Sequence, residues 1–523
     1  MNIYKEILKK NIPKLLGLYN TDTQSPLYGF GDRLYWGWKV SDFPNATLQG
    51  GVHSLAVCIK LGLLERDEYT MNLIGSAVEA AARMTSENGS AAEAFPNENS
   101  FCVTALVAFD ILSAIYYLEN ILQADKKRRY LEIVRPMIQF ISKNGEEHAV
   151  ISNHLATGVA AVRLWNRLSG SSLGRDRELL QIIYQNQSEE GWYKEYEGPD
   201  PGYQTLCTYY LAMAYSVQPD PELLESLKKS AEFLQFFVHT DGTIGGLYGA
   251  RNTEVFYPGG IVSLSDKSEV FASAASALSP DGADLSQHVL PDSIDIGNYI
   301  PLLNSYAFAA VEYERNSELI LKTEYMLPCR KTGEWKFSDS GIFIYSNSEY
   351  ICYINYHKGG TVKVFSRKTG KADAEDGGLF GKLKDGSRFS TQVMDRSQSF
   401  ENREVKCDFY KINDSQPNPL NFIVLRIFSL TVFKSVYLGN LFKKFIVSML
   451  MTGKRHLDGY AQRKFVFSEK EIRVIETVKP PQHCAGIGHP GKSRSIHMAS
   501  SGYYLRQSRE MPQKSEYLKF IQE

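Results

Sequence analysis

The sequence predicts an α+β multidomain fold, with an N-terminal half of paired helices followed by an antiparallel β domain. Three observations predict it. From residue 46 to 236 apolar residues recur at i, i+3, i+4 and i+7, in segments parted by loops rich in Gly, Asn, Pro and Asp. From residue 333 the period drops to two, in short β-branched and aromatic runs split by Ser-Asn, Lys-Gly-Gly and Lys-Thr-Gly turns. At 523 residues the chain is long enough for two cores, and the expected domains are 1–330 and 331–523.

Residues 1–20 form an amphipathic pattern with lysines throughout. They hold no uninterrupted apolar run and no small-residue cleavage site, so the expectation is no secretory signal and a cytoplasmic protein. Residues 21–53 crowd Asp32, Arg33, Tyr35, Trp36, Trp38, Lys39, Asp42 and Asn45 together without either period. Two readings stand for this stretch: a sugar channel lined by Trp36 and Trp38, whose faces suit the C–H side of a pyranose, or an N-terminal cap (1–45) packed over the helices.

Helical segments follow at 47–64, 69–84, 99–122, 130–144, 154–168, 177–187, 205–217 and 222–237, and more weakly at 268–279 and 298–314. They repeat as helix pairs of roughly 45 to 55 residues, a spacing that either stacks into a solenoid or closes into an α/α toroid. Strand patterns occupy 334–370, 387–394, 405–412, 463–468 and 470–478, and 504–523 reads as a tail with a possible last helix. An apolar insertion at 421–451 interrupts them, broken by Arg426, Lys434, Lys443 and Lys444. It lacks the uncharged run of about 18 residues that a membrane span needs. The first reading is a helix or strand packed between domains; the second is a basic amphipathic helix making peripheral contact with a membrane.

Composition excludes some functions. Lys+Arg 58 against Asp+Glu 59 gives a formal charge of −1, so nothing global points to nucleic acid. Seven cysteines stand singly with no CxxC, which argues against disulfides or structural zinc and for a reducing compartment. No feature sets an oligomeric state.

Candidate chemistry sits in the loops. Asn153 and His154 open a helix, with Ser152 and Asn153 as candidate N-caps. An amide and an imidazole at a helix N-terminus suit an anion such as a carboxylate; the alternative is a capping Asn beside a core His. Tyr203 follows the turn-forming stretch 195–202 at the head of another helix, where it would serve as general base or acid, or simply as an interfacial tyrosine. His239 and a Gly-rich run from 242 to 260 bring in Arg251, suited to clamping a carboxylate, and Tyr257. Glu93, Glu98 and Asn99 are placed to bond hydroxyls. Residues 486–493 match both GxxxxGK[ST] and GxGxxG, but no βαβ unit surrounds them, so a β-hairpin loop is the reading.

Taken together, the helical-repeat half before a β half, SNH at 152–154, EGPDPGY at 197–203 and NYHKGG at 355–360 resemble the heparinase II/III-like polysaccharide lyases and related alginate lyases. The resemblance implies an (α/α) toroid plus an antiparallel β-sandwich, with the site in the cleft between them. It implies β-elimination on a uronic-acid-containing polysaccharide. Asn153 and His154 would neutralise the uronate carboxylate, Tyr203 would move the proton, and His357 would complete the site from the β domain. Arg251, His239, Glu98, Asn99, Trp36, Trp38 and Tyr257 are the expected substrate-binding residues. Many members hold a zinc; Asp376 matches its aspartate, but 387–392 lacks the expected histidine, so the expectation is no cofactor. Two other functions stay open: a glycoside hydrolase using two of Asp200, Asp241, Glu93 and Glu98, or a non-catalytic glycan-binding or assembly protein.

Overall fold

The computed structural model describes residues 2–146, 150–279, 288–412, 418–447, 454–489 and 515–522. Its helical half runs α1 (Ile3–Leu16), a single turn α2 (Arg33–Trp36), α3 (Val52–Lys60), α4 (Glu68–Met84), α5 (Phe101–Leu118), α6 (Ala124–Lys143) and α7 (Ser152–Ser169). It continues with α8 (Arg175–Gln185), α9 (Pro201–Val217), α10 (Pro221–Leu234), α11 (Pro258–Ser263), α12 (Glu269–Ala277) and α13 (Ile296–Lys322). Side-chain caps start many of them: Asp67, Ser100, Asp200, Asp220 and Asp295 each accept a first-turn N–H. Prolines 201, 221 and 258 occupy first helical positions, where no N–H is needed.

Alternate helices face inward. α3, α5, α7, α9, α11 and α13 each pack on the next, and α13 returns to α3, so the hairpins close into a toroid rather than an open solenoid. α4, α6, α8, α10 and α12 back this inner ring. The N-terminal helix α1 packs on α13, with Tyr4 edge-on to Tyr306 and Tyr313. Inner helices touch protein on all sides and are therefore apolar all round. α5 is, among the described residues, the one helix long and apolar enough to cross a membrane, and it is buried as ring wall.

After α13 the chain forms a five-stranded antiparallel sheet of β1 (Gly333–Phe337), β2 (Ile342–Ser346), β3 (Tyr350–Asn355), β4 (Thr361–Ser366) and β5 (Ala372–Asp376). A second sheet contains β6 (Phe380–Leu383), β7 (Arg388–Ser390), β8 (Glu404–Lys411), β9 (Arg455–Phe467), β10 (Ile472–Lys479), β11 (Cys484–Gly488) and β12 (Leu518–Gln522), in the order β11-β6-β7-β8-β9-β10-β12. Period-two alternation sorts the first sheet's side chains. Ile342, Ile344, Ile351 and Tyr353 join the toroid core, while Phe343, Cys352 and Ile354 meet Val405, Phe465 and Val474 of the second sheet. The first sheet is thus covered on both faces, which makes three layers.

Two segments differ from their sequence readings. Residues 518–522 are a strand, parallel to β10, rather than a last helix. The insertion forms a helical hairpin, α14 (Pro419–Leu430) and α15 (Val436–Val447), with much of its apolar surface exposed instead of packed between domains. In the 486–493 stretch, Gly486–Gly488 belongs to β11, paired with β6, and 490–493 lie outside the described residues.

Candidate active site

The first turn of α7 meets the loop that precedes α9. Ile151 is the N-cap and offers no side chain, so the capping role expected of Ser152 and Asn153 is not theirs. Ser152 instead donates from its N and Oγ to Lys194 O, at 3.1 and 2.9 Å. That pairing carries Glu195 under Asn153. The Asn153 carboxamide donates to Glu195 Oε1 at 2.6 Å, and Arg251 Nη1 donates to Glu195 Oε2 at 3.1 Å. Glu195 is wholly buried; burial pushes its carboxyl up, and Arg251 and Asn153 oppose that push.

Asp200 fixes the other side. As N-cap of α9 it accepts from Tyr203 N at 3.1 Å, and its second oxygen accepts from Arg251 N at 2.8 Å and Thr253 N at 3.3 Å. One carboxylate therefore ties the 251–253 loop to the turn that presents Tyr203. Gly202 permits the approach, since a Cβ there would lie 2.5 Å from Thr253 Cγ2. The outcome is a stack: Arg251 Cζ sits 3.4 Å from the Tyr203 ring centroid and 5.4 Å from that of Tyr196.

His154 adds a second cation. Its Nδ1–H donates to Glu146 Oε2 at 2.7 Å. Burial works against the charged ring, but Cys102 and Glu146 outweigh it and hold the imidazole well above its ordinary value. Cys102 also hydrogen-bonds the ring, and burial pushes its own thiol up. The His154 charge in turn reaches Glu195 and Tyr196.

The structure thus brings together Asn153, His154, Tyr203 and Arg251. It also adds Glu146 and Glu195, which the sequence reading passed over. Their one signal was position: each acid lies in a loop flanking the Asn153-His154 or Tyr203 helix.

The other expected site residues, Trp38 apart, are engaged in contacts of their own. His357 lies in a 3-10 turn, Tyr356–Lys358, that sends neighbouring side chains different ways. Asn355 and Lys358 reach the toroid loop, donating to Tyr248 O at 2.6 Å and to Leu247 O at 2.9 Å. His357 instead lines a separate cavity of about 350 Å³ with Lys336, Ser338, Asp339 and Arg396. His239 is a core residue, bonded to Thr243 Oγ1 at 2.8 Å and Tyr248 OH at 2.7 Å and stacked on Phe365. Glu98 accepts from the N–H groups of Glu93 and Ala94 in its own loop, and Asn99 donates to Phe433 O at 2.8 Å, tying that loop to the hairpin. Trp36 donates to Leu18 O, Trp38 projects into solvent, and Tyr257 is wholly buried behind Tyr203.

Asp376, the candidate zinc ligand, has both oxygens engaged by cations: Arg463 Nη2 at 2.6 Å and His489 Nδ1 at 2.9 Å. A guanidinium at that distance repels a dication, so these residues do not fit the metal.

No family model matches the chain, and no curated protein matches it. Solved structures do. A Paenibacillus xanthan lyase aligns over 90% of this chain and 47% of its own, with 8% identity and a TM-score of 0.50. The Streptomyces coelicolor A3 chondroitin AC lyase aligns over 79% of this chain and 65% of its own (9% identity, TM-score 0.48). Heparan sulfate lyase HepC from Pedobacter heparinus aligns over 91% and 68% (10% identity, TM-score 0.42). The chain spans about half the length of the xanthan lyase, and what the two share is the fold.

Proposed function

We propose that the protein cleaves a uronic-acid-containing polysaccharide or oligosaccharide by β-elimination at the Asn153–His154–Tyr203–Arg251 site. The observation that carries this reading is the Arg251 guanidinium over Tyr203, within the continuous chain Asn153···Glu195···Arg251···Tyr203.

The chemistry asks for three things. The uronate carboxylate must be neutralised so that the C5 proton becomes acidic; the Asn153 carboxamide and the His154 imidazolium, held charged against burial by Cys102 and Glu146, are the donors. A base must then take that proton, and Tyr203 has a fixed cation against its ring where negative charge would develop. The C5–H electron pair forms the C4–C5 double bond, the C4–O bond breaks, and Tyr203 passes the proton it took from C5 to the leaving oxygen, which returns its hydroxyl to the deprotonated form that began the cycle. Glu195 touches no substrate in this scheme. It holds Asn153 and Arg251 in register as a buried positioning residue.

A hydrolase needs two available carboxylates. Asp200 is buried and accepts three backbone N–H groups, Asp241 is engaged by Thr243, Glu98 accepts from the N–H groups of Glu93 and Ala94, and Glu93 accepts from Thr47 Oγ1. Those commitments favour elimination. The test is incubation with a panel of uronate polymers, read by the ultraviolet absorbance of a 4,5-unsaturated uronate. Cleavage that yields no such chromophore would replace this reading with hydrolysis.

A further inference from the structure

The α14–α15 hairpin exposes an apolar face that no described residue covers. Leu420 (70% exposed), Phe422, Ile423, Val424 and Ile427 on α14 and Tyr437 (76%), Leu441 and Phe445 on α15 face solvent. The opposite side is anchored: Phe433 packs on Phe95, Asn97 Nδ2 donates to Ser429 O at 2.9 Å, and Asn99 Nδ2 donates to Phe433 O. The hairpin is therefore held on the toroid with its apolar side turned outward. An apolar surface of this extent on a folded protein marks a partner.

Charge identifies the partner. Residues 418–447 contain Arg426, Lys434, Lys443 and Lys444 and no Asp or Glu, although the whole chain is nearly neutral at −1. Arg426 pairs with Asp42, while Lys434 and Lys444 occupy exposed positions. The loop that Arg426 grips also carries Trp38, 68% exposed, and Val40, 74% exposed. Apolar side chains flanked by lysines, with a tryptophan at the margin, suit an anionic lipid surface. The hairpin lies on that surface rather than crossing it. Each helix has 12 residues, about 18 Å against the roughly 30 Å of a hydrocarbon core.

We propose that the α14–α15 hairpin, with the Trp38 loop beside it, docks the protein on an anionic lipid bilayer. Docking is independent of the elimination chemistry, so Tyr203→Phe binds membranes as the native chain does.

The test is co-sedimentation of the full chain with phosphatidylcholine vesicles, with and without phosphatidylserine. The expected result is binding to the phosphatidylserine vesicles. Binding falls at least about tenfold in a Phe422→Ser, Ile423→Ser, Ile427→Ser, Phe445→Ser variant, and several-fold in Lys434→Glu, Lys444→Glu. Circular dichroism checks that the variants fold. A second measurement needs no hairpin change: brominated lipid quenches tryptophan fluorescence in the native chain, and Trp38→Phe removes most of that quenching. A native chain that stays in the supernatant with both vesicles overturns the proposal. So does undiminished binding by the serine variant, or a lipid-independent dimer that the serine variant turns into monomer, which would make a second copy the partner.

Discussion

The guanidinium carbon of Arg251 stands 3.4 Å from the centre of the Tyr203 ring, and Nη1 of the same guanidinium holds the buried Glu195 carboxylate at 3.1 Å. One arginine thus connects the acid that orders the site to the tyrosine assigned the proton. Arg251→Lys keeps the charge but loses the planar contact and the forked donors. The expected effect is a fall in kcat of about a hundredfold with a smaller change in KM, measured on whichever uronate polymer is cleaved. An unchanged kcat would remove Arg251 from the mechanism.

Glu195→Ala leaves the Arg251 charge buried without its carboxylate. Breaking a buried pair from one side costs about 3–5 kcal/mol, so urea unfolding should show a loss of that size. A loss under about 1 kcal/mol would mean that the pair is not the buried clamp described here.

Cys102 and Glu146 hold the His154 imidazole above its ordinary value against burial, so the ring keeps its charge to higher pH than a free imidazole does. Glu146→Gln removes the carboxylate, and burial then lowers the ring. The alkaline limb of the kcat/KM profile should move to lower pH by about one unit or more. A limb that stays in place would show that the His154 charge is not needed.

In the β-sandwich, His489 bridges Asp376 and Glu476 at 2.9 and 2.6 Å, and these bonds outweigh burial to raise it from 6.5 to about 9. A raised histidine contributes stability that is complete below pH 6.5 and is lost as pH climbs through about 9. With the ring partly exposed, screening brings the contribution to ~2 kcal/mol. Unfolding free energies at pH 6 and pH 10 should differ by that much in the native chain and by much less in His489→Gln. Equal native values at the two pH extremes would contradict it.

Periodicity reveals the helices and strands because it records which side of each element is buried. Ring closure is not local in this way: it depends on α13 meeting α3, as where Ser54 Oγ donates to Asn304 Oδ1 250 positions on, and no repeat spacing encodes that meeting. Asn153, His154 and Tyr203 were legible because each opens a helix. Glu146 and Glu195 were not, since a glutamate in an acidic loop reads as a solvated charge until the fold buries it. Around one 3-10 turn Asn355 and Lys358 reach the toroid loop while His357 lines a cavity with Asp339 and Arg396, a division of neighbours that no sequence period encodes. Apolar content misled at 421–451, where the exposed side of the hairpin has the composition of a core.

Tyr203→Phe tests the central claim most directly. The substitution keeps the ring beneath Arg251 and removes only the hydroxyl that would carry the proton. On a uronate polymer that the native chain cleaves, the account predicts that the absorbance of the 4,5-unsaturated product falls to background, with folding and polymer binding retained. Undiminished formation of that chromophore by Tyr203→Phe would contradict it.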